Sequence, residues 1–291
     1  MIRRSVWTST GETRFAFSAA TSVGTVRAVN EDSFIAEPPV FLVADGMGGH
    51  RRGDAASSAA VDAFRRRLVG TQPWTPDAVL QTIQLAHDQI SALGAEDEIA
   101  GTTLAGVVLV ITGASSADVD ETTAELGVSA ESTESRYRWM VVNVGDSRVY
   151  LLDDDGFRQL TVDHSIVQEL VDQGVIAESE ASGHPERNVI TRALGVEGHA
   201  DPDVLLLPAE GTYTFLVCSD GVCGAVAFAE LESAMRGVDE DRAEAIVALA
   251  MRSGSRDNIT AIVLEATVGL VQGAAHADIV DETQPRGEVL T

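Results

Sequence analysis

Apolar positions along this chain fall into two patterns, and each predicts one kind of element. Short, nearly continuous apolar runs recur at Phe15–Ala20, Ser33–Glu37, Val40–Ala44, Leu104–Thr112, Tyr137–Val144, Tyr213–Cys218 and Asn258–Ala266. Runs of this length suit strands. Other stretches repeat apolar residues at steps of three and four. Over Asp54–Val69 these are Ala56, Ala59, Ala60, Ala63, Phe64 and Leu68, with Arg65–Arg67 near the end, where they complement the helix dipole. A second helix is predicted from Thr75-Pro76, a cap followed by proline at the first helical position, to about Leu93. His87 within it is expected at the surface. Shorter helices are predicted at Ser165–Gln173, Phe228–Met235 and Asp239–Arg252. Val149–Asp153 and Phe157–Leu160 flank the turn Asp154-Asp155-Gly156 and predict a hairpin.

Strand pairs, a helix pair, further strands, a second helix pair and a last strand predict an α+β fold. Its simplest packing is a sheet sandwich with helix pairs outside. One domain is expected over 14–267. Residues 1–13 read as a flexible N-terminus and 268–291 as a disordered tail. Gly113–Arg136 holds six acidic residues and one Arg, buries too little to offset its ordering entropy, and is expected to be a mobile loop. Ala177–Gly198 is polar and irregular.

Composition narrows the chemistry. The 291 residues include 45 acidic and 20 basic ones, for a net charge of −25. Every basic residue is Arg. Without Lys there is no phosphate-loop Lys, kinase Lys or Schiff-base Lys. The acidity excludes a nucleic-acid binder, which needs a basic stripe. No apolar run reaches membrane-spanning length, and the N-terminus lacks the apolar core of a secretory signal. Cys218 and Cys223 are too few for a disulfide framework, so a reduced, cytoplasmic setting is expected.

The candidate chemistry lies where apolar strands stop on an acid. Phe41–Ala44 runs into Asp45-Gly46, Val141–Val144 into Gly145-Asp146, and Phe215–Cys218 through Ser219 into Asp220-Gly221. Asp257-Asn258 and Glu31-Asp32 precede strands. Carboxylates there sit rigidly at a sheet rim, and the adjoining glycine lets the chain turn and brings a carbonyl near a ligand. Converging acids repel one another unless cations neutralise them, and an all-oxygen set suits Mg²⁺ or Mn²⁺. A single Asp-Gly is more often a plain turn. The count of strand-end acids alone leaves metal site and turns evenly matched.

Six ordered motifs break that tie. Arg27-Ala-Val-Asn-Glu31-Asp32, Ala44-Asp45-Gly46-Met-Gly-Gly-His50, Gly101-Thr-Thr103, Val144-Gly145-Asp146-Ser147-Arg148, Ser219-Asp220-Gly221 and Ser255-Arg256-Asp257-Asn258-Ile-Thr260 resemble the motif series of bacterial PP2C-type (PPM) metal-dependent protein serine/threonine phosphatases. His184–Gly195 resembles the flap of such proteins, here placed within 165–199. The resemblance implies a β-sandwich of two antiparallel sheets flanked by helix pairs, in α-β-β-α layers. It implies hydrolysis of phosphoserine and phosphothreonine on proteins by a water activated between two Mn²⁺ or Mg²⁺ ions, opposing Ser/Thr protein kinases. Asp45 would bridge the ions with the Gly46 carbonyl on one of them. Asp220 and Asp257 would complete the first and Glu31 the second, with Asp32 in its water shell. Glu31, Asp45, Asp220 and Asp257 carry four negative charges, which two divalent cations balance. Arg27 would take the phosphate with its planar fork. His50 is a candidate general acid, and Asn258 a supporting or substrate-facing residue. A monomer without nucleic-acid or membrane partners is expected.

Two positions depart from the family. Met47 stands where many eukaryotic members place a His. Gly224 stands where relatives commonly carry an Asp, so a third metal site, with Asp146 its strong carboxylate, is expected to be weak or absent. Gly224 also favours the competing reading, a metal-binding pseudophosphatase or interaction domain with weak activity. The intact Arg27, Asp45, Asp220 and Asp257 oppose it.

Overall fold

The computed structural model describes residues 2–8, 11–48, 52–68, 74–94, 100–112, 137–196, 198, 200–237 and 241–268. In chain order the elements are β1 (Ile2–Thr8), β2 (Gly11–Ser22), β3 (Asp32–Glu37), β4 (Val40–Met47), α1 (Arg52–Leu68), α2 (Pro76–Ser91), β5 (Gly101–Thr102), β6 (Leu104–Ile111), β7 (Tyr137–Val144), β8 (Arg148–Asp153), β9 (Gly156–Gln159), α3 (Ile166–Asp172), α4 (Glu178–Ala181), β10 (Asp203–Pro208), β11 (Gly211–Cys218), α5 (Asp220–Cys223), α6 (Phe228–Arg236), α7 (Arg242–Arg252) and β12 (Ile259–Val268).

The strands form two antiparallel sheets, ordered β1-β2-β12-β11-β8-β9 and β10-β7-β6-β4-β3, with β5 beside β4. Phe15, Phe17, Phe41, Val43, Trp139 and Phe215 fill the space between them. Along β4 the alternate residues Val40, Leu42 and Ala44 turn outward onto Phe64 of α1 and Ile83 and Ile90 of α2. On the other side Leu216, Cys218, Ala261 and Val263 meet Leu231 of α6 and Ile246 and Ala250 of α7. Both faces of the central strands are therefore covered, which is why their sequences read as unbroken apolar runs. The layers are α-β-β-α, as the resemblance implies.

Local signals hold at the helix starts. Thr75 caps α2, its side chain accepting from Ala78 N–H, and Asp241 caps α7 by accepting from Glu244 N–H. Two expectations are corrected, and one strand was not predicted. Part of the expected flexible N-terminus is strand β1, which pairs with β2 from Ile2–Phe17 to Thr8–Gly11. Backbone hydrogen bonding along a neighbouring strand orders a segment that has little apolar pattern of its own. Strand β10 has no counterpart in the sequence reading, because Val204, Leu205 and Leu206 follow one another without alternation on an exposed sheet edge. His87 is buried rather than surface-exposed. Its Nδ1 accepts from Gly195 N–H at 3.2 Å, tying α2 to the flap. The acidic loop Gly113–Arg136, the tail from Gly269, His50 and His199 lie outside the described residues.

Candidate active site

One rim of the sandwich gathers the strand-end acids. The ends of β4 and β7, the start of α5, the turn before β12 and the β2–β3 loop surround a pocket of about 480 Å³. Arg27, Glu31, Asp45, Gly46, Asp146, Asp220 and Asp257 line it, with Asn188 and Ile190 from the flap side. Sequence reasoning named the first seven of these.

Each acid is held by identifiable neighbours. Thr103 Oγ1 accepts from Asp45 N–H at 3.0 Å, Thr103 N–H donates to the Asp45 carbonyl at 2.9 Å, and Thr102 Oγ1 donates to that carbonyl at 2.9 Å. The Gly101-Thr-Thr103 motif thus fixes the Asp45 backbone. Thr103 Oγ1 also pairs with Ser147 Oγ at 2.8 Å, beside Asp146. Arg148 turns away from the pocket onto Asp163, with Nη2–Oδ2 at 2.6 Å and Nε–Oδ1 at 2.9 Å. Hydroxyl positions such as Thr102, Thr103 and Ser147 are functional supports that the motif match contained without giving them a role.

Gly46 and Gly221 serve close packing rather than turning. Neither adopts a positive φ. A Cβ on Gly46 would overlap the carbonyls of Gly53 and Glu31, and one on Gly221 would overlap the Asn258 carbonyl. Glycine lets three backbone segments meet at the rim.

Asp32 and Asn258 stand behind the pocket wall. Asp32 Oδ2 accepts from Ser219 Oγ at 2.9 Å and from Thr260 Oγ1 at 2.7 Å, so a β3 carboxylate is anchored to the opposite sheet. Asn258 is 3% exposed. Its Oδ1 accepts from Glu31 N–H at 2.8 Å, and its Nδ2 donates to the Val23 and Val29 carbonyls, each at 3.0 Å. Its three hydrogen bonds hold the loop that carries Arg27 and Glu31, and its burial keeps it from facing substrate.

Electrostatics set this rim apart. Burial pushes Asp45 well above the usual carboxylate range, and the charges of Asp32, Asp220 and Asp146 push it further. Burial and then Asp220 raise Asp146 to about 7. Asp32 is raised to about 6 by burial and by Asp220 and Asp257, against the two hydroxyls that stabilise its charge. Burial and Asp257 raise Asp220. Among the described residues, no three carboxylate, imidazole or thiol groups are already drawn around one point. Asp257 is instead held by Arg27 Nη2 at 2.7 Å. Yet Asp32 Oδ1 and Asp220 Oδ1 are buried with no hydrogen-bond partner. Orphaned carboxylate oxygens amid mutual repulsion are what a hard cation relieves, and the all-oxygen donor set fits Mg²⁺ or Mn²⁺. Behind the rim, Cys218 and Cys223 are free thiols, and Cys223 Sγ lies 3.9 Å from the Asp220 carbonyl. A hydrogen bond with Cys223 and burial hold the Cys218 thiol well above its ordinary value.

Sandwich and acidic rim together define a phosphohydrolase-like architecture, and comparison with known proteins places it. The family model described as Protein phosphatase 2C matches residues 26–253. A serine/threonine phosphatase of Listeria innocua is 35% identical over 261 residues, covering 84% of this chain and 93% of that protein. The PPM Ser-Thr phosphatase MsPP of Mycobacterium smegmatis, solved with cacodylate, superposes with a TM-score of 0.71 at 32% identity, over 87% of this chain and 98% of that one. The catalytic domain of the phosphatase PstP, solved with two manganese ions, gives a TM-score of 0.70 at 28% identity, over 88% of this chain and all (100%) of that one. The chain belongs to the protein phosphatase 2C family and is a serine/threonine protein phosphatase.

Proposed function

We propose that the pocket holds two divalent cations, Mn²⁺ or Mg²⁺, and hydrolyses phosphoserine and phosphothreonine on proteins, in opposition to Ser/Thr protein kinases. The observation that carries this is the cluster of mutually repelling carboxylates, with Asp32 Oδ1 and Asp220 Oδ1 buried without a hydrogen-bond partner. Asp45, the Gly46 carbonyl, Asp220, Asp257 and Glu31 would hold the cations. Such cations acidify water and draw charge from phosphoryl oxygens. The protein's own residues orient the reaction. Arg27, at the mouth, presents two guanidinium nitrogens to the phosphoryl oxygens. Thr102 and Thr103 keep Asp45 in place, and Asn258 keeps the Arg27 loop in place. The charge spread over three equatorial oxygens in the transition state is met by positioned groups rather than by a covalent intermediate.

A third cation would have Asp146 as its strong carboxylate, without a second at Gly224. A Cβ at Gly224 would lie 2.9 Å from the Asp220 carbonyl, so a side chain there needs the backbone to shift. This position is what favours the weakly active alternative. Among the described residues no helix is long and apolar enough to cross a membrane. The free thiols suit a reducing, cytoplasmic setting. Turnover of phosphorylated kinase from the same organism, with and without Mn²⁺, tests the proposal. Asp45→Asn, Asp220→Asn and Asp257→Asn should each abolish it, and normal turnover in these variants would overturn the ligand assignment.

A further inference from the structure

The pocket is larger than a phosphoryl group requires, and part of its wall is aliphatic. Its volume of about 480 Å³ lies in the range that takes up a whole small ligand. Ala28, Val29, Met47 and Ile190 share the cavity with the carboxylates. Val29 is 54% exposed. Aliphatic side chains left open at the mouth of a polar site gain burial energy only when a ligand covers them.

Both walls are fixed from behind. On one side Asn258 Nδ2 donates to the Val29 carbonyl at 3.0 Å. On the other, Ile166 N–H donates to the Val189 carbonyl at 2.9 Å, and Ile190 bridges to Ser165. A cleft between rigid walls takes a side chain with little ordering cost.

We propose that Val29 and Ile190 determine specificity, forming an apolar cleft that takes an aliphatic side chain next to the phosphorylated Ser or Thr, a role that rests on the phosphatase function proposed above. The occupant is part of the phosphoprotein itself, because cleft and phosphate site are one cavity. A phosphoryl group seated on Arg27 places the adjoining residue against these walls. Asn188, exposed in the same cavity, offers an amide to the peptide backbone.

The test is kcat/KM with Mn²⁺ for phosphopeptides of one sequence, carrying Leu or Ser at each position flanking phosphoserine. Wild type, Val29→Ser and Ile190→Ser are compared, with thermal unfolding to confirm that each variant folds. Wild type should prefer Leu to Ser by about five- to tenfold at one or both positions, less than a closed pocket achieves. Each substitution should bring that ratio to within about twofold of one. Equal rates on Leu and Ser peptides in wild type overturn the inference, as does a Leu preference that survives both substitutions. A wild type that cleaves neither the peptides nor p-nitrophenyl phosphate overturns the phosphatase function and this role with it. An active enzyme without the preference overturns this role alone.

Discussion

Arg27 Nη2 lies 2.7 Å from Asp257 Oδ2, so the cation at the pocket mouth rests on one of the carboxylates at its floor. Both side chains are partly exposed, at 49% and 36%, and such a pair contributes little to stability. Arg27 is therefore free to exchange the carboxylate for a phosphoryl group at small cost. Arg27→Ala should lower kcat/KM by about 10- to 100-fold, the worth of a charge-assisted bond to phosphate. Arg27→Lys should recover only part of the loss, because Lys lacks the planar fork. Steady-state kinetics check this, and an unchanged kcat/KM in Arg27→Ala would remove Arg27 from the phosphate site.

Asn258 joins three backbone groups of the loop carrying Arg27 and Glu31. Asn258→Ala leaves Glu31 N–H and two carbonyls without their partner, which should cost about 2–4 kcal/mol in urea unfolding. Asn258→Asp should be no better, since a carboxylate cannot donate to the Val23 and Val29 carbonyls. Hydrogen exchange should quicken at residues 23–31 first. A variant as stable as wild type would show that the loop is held elsewhere.

Without cations the rim should destabilise the fold. Asp45 faces the charges of Asp32, Asp220 and Asp146, and burial raises its cost further. Metal-free Asp45→Asn should therefore be more stable than metal-free wild type, by about 1–3 kcal/mol. Mn²⁺ at about a hundred times its Kd should stabilise wild type by about 2.7 kcal/mol, but the variant by much less. Calorimetry with and without chelator measures both. If Asp45→Asn proves less stable in chelator, or gains equally from Mn²⁺, the carboxylates are not held against their mutual repulsion for a cation.

Much of this site was legible because its acids end apolar strands in a fixed order. Asp45, Asp146 and Asp220 stand where runs such as Phe41–Ala44 stop, and sheet order brings those ends to one rim. The supports were not legible. Thr102, Thr103, Ser147 and Ser219 act through single hydroxyls whose partners lie far along the chain, and no periodicity marks such a bond. Gly46 and Gly221 read as turn residues, whereas close approach of Gly53, Glu31 and Asn258 demands them. Strand β10 lacked a signal because its apolar residues follow one another without alternating with polar ones, and Val204, Leu205 and Leu206 are exposed at a sheet edge. His87 was misplaced because its helix face meets the flap, a contact that depends on Gly195 more than a hundred residues on.

His164 gives the fold a measurable acid sensitivity. It is 5% exposed, and its Nδ1 accepts from Gly145 N–H at 3.1 Å, next to Asp146. Its Nε2 meets Asp203 Oδ2 at 3.3 Å and Arg192 Nη1 at 3.2 Å. Burial holds the ring's pKa below the ordinary value of 6.5, against the hydrogen bond to Asp203, which raises it. The unfolded chain therefore binds the proton more readily than the fold does. The stability contributed by the neutral ring is complete above about pH 6.5 and is lost as pH falls below that value toward the folded pKa. Protonation also sets an Nδ1–H against the Gly145 N–H, two donors facing one another, so the Gly145–Asp146 turn should loosen in acid. His164→Gln cannot titrate in this range. It should lack the part of the wild-type slope of stability against pH between 5 and 6.5 that this ring supplies, at most about 1.4 kcal/mol per pH unit. An NMR titration placing His164 above 6.5, or identical slopes in the two proteins, would show that Asp203 rather than burial governs the ring.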